Sequence, residues 1–140
     1  MKGERITPFV TQLDENQVFV FGSNEVGRHG KGAAKLAKQW GAKIGVGEGL
    51  SGKTYGIPTK DKRIQTMSKG KILKHVDTFM KFASQRVDLV FLVTEIGCGL
   101  AGYSPSDIAP MFVDALHLTN VFLPLSFWEI LSKDIHSRVR

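Results

Sequence analysis

Two glycine-rich stretches carry residue types suited to holding a phosphate. The first runs Gly22-Ser23-Asn24-Glu25-Val26-Gly27-Arg28-His29-Gly30-Lys31-Gly32-Ala33-Ala34, and the second Ile96-Gly97-Cys98-Gly99-Leu100-Ala101-Gly102-Tyr103. Glycine lets backbone N–H groups approach an anion closely, and a helix start after the loop adds partial positive charge. Either stretch alone could be a flexible strand–helix turn. Together they suit a pyrophosphate, which takes donors from two sides.

A third stretch, Gly47-Glu48-Gly49-Leu50-Ser51-Gly52-Lys53-Thr54, fits G-x-x-x-x-G-K-[ST] and, over its first six residues, G-x-G-x-x-G. Each motif needs a strand before it and a helix after. Here Tyr55-Gly56-Ile57-Pro58 follows and cannot begin a useful helix, so a P-loop nucleotide hydrolase is only a lesser alternative. Cys98 lies between two glycines, but no histidine is placed beside it, and a buried structural cysteine is the better expectation than a thiolate nucleophile. His29 reads as a solvated loop histidine. The four histidines have no metal-ligand spacing, so neither a metal nor a cofactor is expected. Phe127 and Trp128 read first as core aromatics, with stacking on a base kept as the functional alternative.

Strands and helices must position these loops. Gln17–Phe21 (QVFVF) reads as a buried strand entering the first loop. Lys31–Trp40 reads as a helix with Ala33, Ala34, Leu36, Ala37 and Trp40 on its apolar face, stopped by Gly41. Gly45–Gly52 holds four glycines in eight residues and reads as a loop. Thr54–Ile57 is a short strand ended by Pro58. The spacing of Ile72, Val76, Phe79, Met80 and Ala83 predicts a helix over Ser68–Arg86. Asp88–Thr94 (DLVFLVT) has the near-continuous apolar character of a central strand. Ser104-Pro105-Ser106-Asp107 starts a helix to about Leu116, Asn120–Leu123 is a last strand, and Phe127–Leu131 opens a C-terminal helix. The alternation predicts a mostly parallel or mixed sheet between helix layers, with both loops at the carboxyl ends of strands.

The 140 residues and 42% hydrophobic content fit one domain, 1–140, with one sizeable core. The longest apolar run, Val87 to Val93, is interrupted by Asp88 and is too short to span a bilayer. Met1-Lys2-Gly3-Glu4-Arg5 is followed by no apolar segment, so no secretory signal is read there. The single cysteine excludes an internal disulfide and a cysteine-based zinc cluster, and the cytoplasm is the expected compartment. A net charge of +6 favours anionic partners. The lysines are scattered rather than blocked, which disfavours a dedicated nucleic-acid arm.

Three blocks in order resemble macrodomains, most closely the branch of the terminal ADP-ribose protein glycohydrolase. They are Val18–Ala34 (VFVFGSNEVGRHGKGAA), Tyr55–Lys60 (YGIPTK) and Thr94–Leu100 (TEIGCGL), and the likeness spans roughly residues 17–125. The chain is also similar to small macrodomain-like proteins of phages and bacteria. The resemblance implies a three-layer α/β/α sandwich with a mixed sheet and an ADP-ribose cleft between loops 22–34 and 96–102. The implied ligand contacts are Gly22, Ser23, Asn24, Gly30, Gly32, Ala33, Thr59, Ile96, Gly97, Cys98, Gly99, Leu100, Ala101, Gly102 and Tyr103, with Phe127 added as the stacking candidate. In that branch a lysine attacks the ribose anomeric carbon and an aspartate moves the proton. Lys60 matches the lysine, but Ala101 stands where the aspartate is expected, so weak or altered hydrolysis follows. The expected partners are an ADP-ribose-like nucleotide and, if it is presented, an ADP-ribosylated protein. The alternative from another class is an accessory protein whose basic surface binds nucleic acid.

Overall fold

The computed structural model describes residues 5–138, and the side chains of residues 5–133. Met1 to Glu4, most of the stretch read for a secretory signal, lie outside the described residues. The strands are β1 (Gln17–Asn24), β2 (Gly49–Ser51), β3 (Thr54–Lys60), β4 (Val90–Val93) and β5 (Val121–Phe122). The α-helices are α1 (Gly32–Ala37), α2 (Lys69–Gln85), α3 (Pro105–Ile108) and α4 (Leu125–Arg138), with 3₁₀ segments over Lys38–Trp40 and Ala109–His117.

The sheet order is β2-β3-β1-β4-β5, with β1 pairing parallel to both β3 and β4, β4 parallel to β5, and β2 antiparallel to β3. The expected mixed sheet and three-layer α/β/α architecture are therefore present. The alternation within QVFVF explains why β1 is central. Val18 and Val20 face a core built with Ile72, Val76 and Phe79 of α2, the 3₁₀ segment and α4. Phe19 and Phe21 face a second core with Ala34, Ala37 and Val10. Each such buried side chain contributes about 1.5–3 kcal/mol of transfer free energy, so this one strand anchors both layers.

Several boundaries differ from the sequence expectations. Pro58 does not end β3. Its β2 partner stops at Gly56, so beyond that point the missing Pro58 N–H breaks no ladder bond. The Gly45–Gly52 stretch includes β2, because Leu50 and Ser51 fold back on Tyr55 and Thr54 as a hairpin. The helix expected over Lys31–Trp40 is α-helical only to Ala37, and Leu36 is on its exposed side. The helix expected over Ser104–Leu116 keeps only one α-turn. Pro110 lacks the N–H and clashes with the preceding turn, so the chain continues in 3₁₀ form. The Asp107 carboxylate accepts from the Ser104 N–H at 3.1 Å, the anticipated cap.

Two polar side chains close the far end of the fold. The Arg5 guanidinium donates to the carbonyls of Ala115 (2.8 Å), Leu118 (2.7 Å) and Val121 (3.0 Å) and lies over the Trp128 ring. The Asn120 amide donates to the carbonyls of Ala83, Arg86 and Leu89 at 3.0, 3.0 and 3.2 Å, closing the C-terminus of α2. Asn120→Ala should leave these acceptors short of a donor and cost about 1–2 kcal/mol. For this chain length, that lowers Tm by about 3–6 °C in a circular-dichroism melt. A Tm within 1 °C of the parent would show that water replaces the amide at no cost.

Candidate functional site

Both glycine-rich loops open from the carboxyl ends of the sheet, where β1, β3 and β4 finish at Asn24, Lys60 and Val93. A β-bulge makes the position possible. Ser23 pairs with Pro58 but Asn24 pairs with Lys60, so Thr59 is the extra residue. Gly22 packs against the second loop, where an added Cβ would lie 3.6 Å from the Gly97 nitrogen. At the start of α1, a Cβ on Gly32 would lie 3.8 Å from Leu100 Cδ1. The two loops thus face each other across one cavity of about 560 Å³.

Side chains hold the loops in shape. Asn24 Nδ2 donates to the Arg28 carbonyl at 2.7 Å, and its Oδ1 accepts from the Arg28 N–H at 2.9 Å. Ser23 Oγ donates to the Gly47 carbonyl, and Thr59 Oγ1 to the Ser23 carbonyl. Gly27 sits at φ 72°, where a Cβ would fall 2.5 Å from the Gly45 carbonyl carbon, so both its backbone angle and its packing require glycine. Gly97 is similar, at φ 75° with a Cβ position 3.1 Å from Ile108. Gly30 and Gly99 are different. Both line the cavity without positive φ, and a Cβ on either would meet nothing within 4 Å.

The cavity lining supplies charge. Arg28, Lys31 and Lys60 line it, and among the described residues Glu95 is its one lining acid. Glu95 accepts from Ser126 Oγ at 2.6 Å. The anion-attracting field expected from the helix start is small, since α1 has only six residues. The cationic side chains are the larger source. A second cavity of about 520 Å³ shares Gly32, Ala33, Thr94 and Glu95 with the first. Its other walls include Phe9, Leu36 and Leu125, and the Phe9 ring is 93% exposed.

Of the residues expected at a ligand, Gly22, Ser23, Asn24, Gly30, Gly32, Ala33, Thr59, Lys60, Gly97, Gly99, Leu100 and Ala101 line the first cavity. The polar ends of Ser23, Asn24 and Thr59 are engaged with backbone, so they shape the wall. Ile96, Cys98, Gly102 and Tyr103 do not line it. Ile96 is buried in the core, and Tyr103 donates its hydroxyl to the Met67 carbonyl at 2.7 Å. Phe127 is wholly buried among Phe112 and its neighbours, so it cannot stack on a ligand, and Trp128 is also in the core. Both follow from α4 turning its first apolar face inward. Burial and the nearby Glu95 and Asp107 carboxylates push the Cys98 thiol up to about 11, which leaves it protonated and unreactive at neutral pH. His29 is not solvated as expected. It is 2% exposed, edge-on to Phe21, with Nε2 at 2.9 Å from the Lys43 carbonyl. In the P-loop look-alike, Gly52 and Lys53 form the β2–β3 turn, and Lys53 Nζ donates to the Leu13 carbonyl rather than entering the cavity.

Arg28, Lys31, Ala34, Ile64, Thr94 and Glu95 also line the cavity and were not among the expected contacts. A search of the loops for cations as well as glycines would have found Arg28 and Lys31. Ile64 gives no such signal in sequence.

No family model matches this chain, and no curated protein matches it. Its fold is similar to a solved structure described as a protein of unknown function from Bacteroides thetaiotaomicron, at 15% identity and a TM-score of 0.56. The likeness covers 81% of this chain and 88% of that one. At that identity it is a likeness of fold alone.

Proposed function

We propose that the chain binds an ADP-ribose-like nucleotide across the two neighbouring cavities, with little or no turnover. The observation that carries this is the convergence of two glycine loops and three cationic side chains on one cavity with a single lining acid among the described residues. A pyrophosphate is a small dianion that needs close donors on two sides, and such a cavity offers them. The volume lies in the usual range for small-molecule sites. The apolar second cavity, with its exposed Phe9 ring, suits the base, which puts the distal ribose toward Lys60. Lys60 and Ala101 both line the first cavity, which supports a reading in which the lysine matching the nucleophile of the resembling glycohydrolases lacks a proton-transfer partner at the matching position.

Calorimetric titration with ADP-ribose and AMP tests this. ADP-ribose should bind at least tenfold more tightly, through its second phosphate and distal sugar. Equal affinity for both, or none for either, would contradict a shared pocket. Binding of nucleic acid that collapses between 50 and 200 mM salt, with no nucleotide binding, would favour a basic surface instead.

A further inference from the structure

Ile64 is the one non-glycine residue among those described with a positive φ, at 62°. For a β-branched side chain this is an outlier that the surroundings must impose. The imposing contacts are visible. Asp61 Oδ1 accepts from the N–H groups of Arg63 (2.8 Å) and Gln65 (3.1 Å), and these bonds hold its carboxyl below the usual range. The Asp61 N–H donates to the Gln65 carbonyl at 2.8 Å, and the Ile64 N–H to the Asp61 carbonyl at 3.0 Å.

Residues 61–67 form a strap between β3 and α2, stitched to both walls of the cavity. On the β3 side, the Met67 N–H donates to the Thr59 carbonyl at 2.9 Å. On the other, Thr66 Oγ1 donates to the Ala101 carbonyl at 3.0 Å, and Tyr103 reaches back to Met67. The strap therefore stands beside Lys60 in the wall of the first cavity, while Gly32, Ala33, Thr94 and Glu95 are the residues that also line the second. Ile64 is the strap residue that lines the cavity. A glycine or asparagine would occupy the same backbone angle with less strain. What isoleucine adds there is bulk in the cavity wall beside Lys60.

We infer that Ile64 and its strap are a size filter on the distal end of the ligand, so that the site takes free nucleotides and rejects those carrying a bulky group on the distal sugar. This rests on the nucleotide reading and on its orientation with the distal ribose toward Lys60. A macromolecule attached at the distal sugar would have to leave through the strap.

The test compares ADP-ribose with NAD, which is ADP-ribose bearing nicotinamide on the distal anomeric carbon, against the full chain and Ile64→Gly. The parent should prefer ADP-ribose by at least tenfold. Ile64→Gly should narrow that preference at least fivefold, mainly by gaining affinity for NAD. The charge on nicotinamide is common to both proteins, so the change in the ratio reports the steric part. The glycine variant should keep its Tm within about 3 °C of the parent, because relief at φ 62° offsets lost contact. Should it unfold, Ile64→Asn, which also tolerates that backbone angle, takes its place. Tight ADP-ribose binding with an unchanged ratio would overturn the filter alone. Binding of neither nucleotide by the parent would overturn the nucleotide reading and the filter with it.

Discussion

Gly99→Val should abolish nucleotide binding while leaving the fold intact. Gly99 has no positive φ, and a Cβ there meets nothing within 4 Å, so the free protein has room for a side chain to start at this position. Its branches would enter the space where a phosphate must approach the loop backbone. Losing close contact with a doubly charged group costs several charge-assisted hydrogen bonds, each about 1.5–3 kcal/mol. A loss of at least 100-fold in affinity is expected, equivalent to about 2.7 kcal/mol. Gly30→Val approaches from the opposite loop, with the same open surroundings, and should have a similar effect. Gly97→Val is the contrast. With φ at 75° and Ile108 at 3.1 Å from the Cβ position, it should lower Tm by many degrees. Unimpaired ADP-ribose binding by folded Gly99→Val would show that the ligand does not rest on this loop.

The second large effect concerns turnover. The unaltered protein should remove little or no ADP-ribose from carboxylate esters, whether a glutamate-linked peptide or a small acyl ester. Attack by Lys60 at the anomeric carbon would form a C–N bond and expel the carboxylate, and the following ring opening and hydrolysis need a group that takes and returns a proton. Ala101 lines the same cavity but has no proton to give. A positioned acid/base is typically worth about 10²–10⁴-fold. Ala101→Asp should therefore raise hydrolysis of the small acyl ester by a factor in that range, and Lys60→Ala in that background should remove the gain. If Ile64 filters bulky groups, the peptide should become a substrate only when Ile64→Gly is added. Robust turnover by the unaltered chain, insensitive to Lys60→Ala, would mean that other residues run the chemistry.

The elements that position the site were legible where periodicity is strong. QVFVF, DLVFLVT and the Ile72–Ala83 pattern each gave a strand or helix in the right place, because burial on one or both faces dictates those residues directly. The two loops were legible as loops because glycine-rich stretches after a strand and before a helix read as turns, and their place at the carboxyl ends of strands followed from the alternation. What escaped depends on non-local packing. Pro58 is harmless in β3 only because β2 is short, which no local pattern reveals. Pro110 was the opposite case, a local signal for the end of α3 that apolar spacing outweighed. Phe127 is the core aromatic of the first reading, and only the stacking alternative fails, because an exposed and a buried aromatic look alike until the helix face is known. Ile64 was invisible, since its backbone angle comes from Asp61 and the strap rather than from its own preference.

In the proposed complex one ligand is held by both glycine loops at once. The most direct measurement is a nitrogen-15 amide NMR titration of the full chain with ADP-ribose. The amides of Gly30–Ala33 and of Gly97–Ala101 should shift together along one saturating curve, with a single dissociation constant and little change elsewhere except near Thr59–Lys60 and Phe9. Shifts confined to one loop, two loops titrating with different constants, or weak shifts scattered over surface lysines would contradict it.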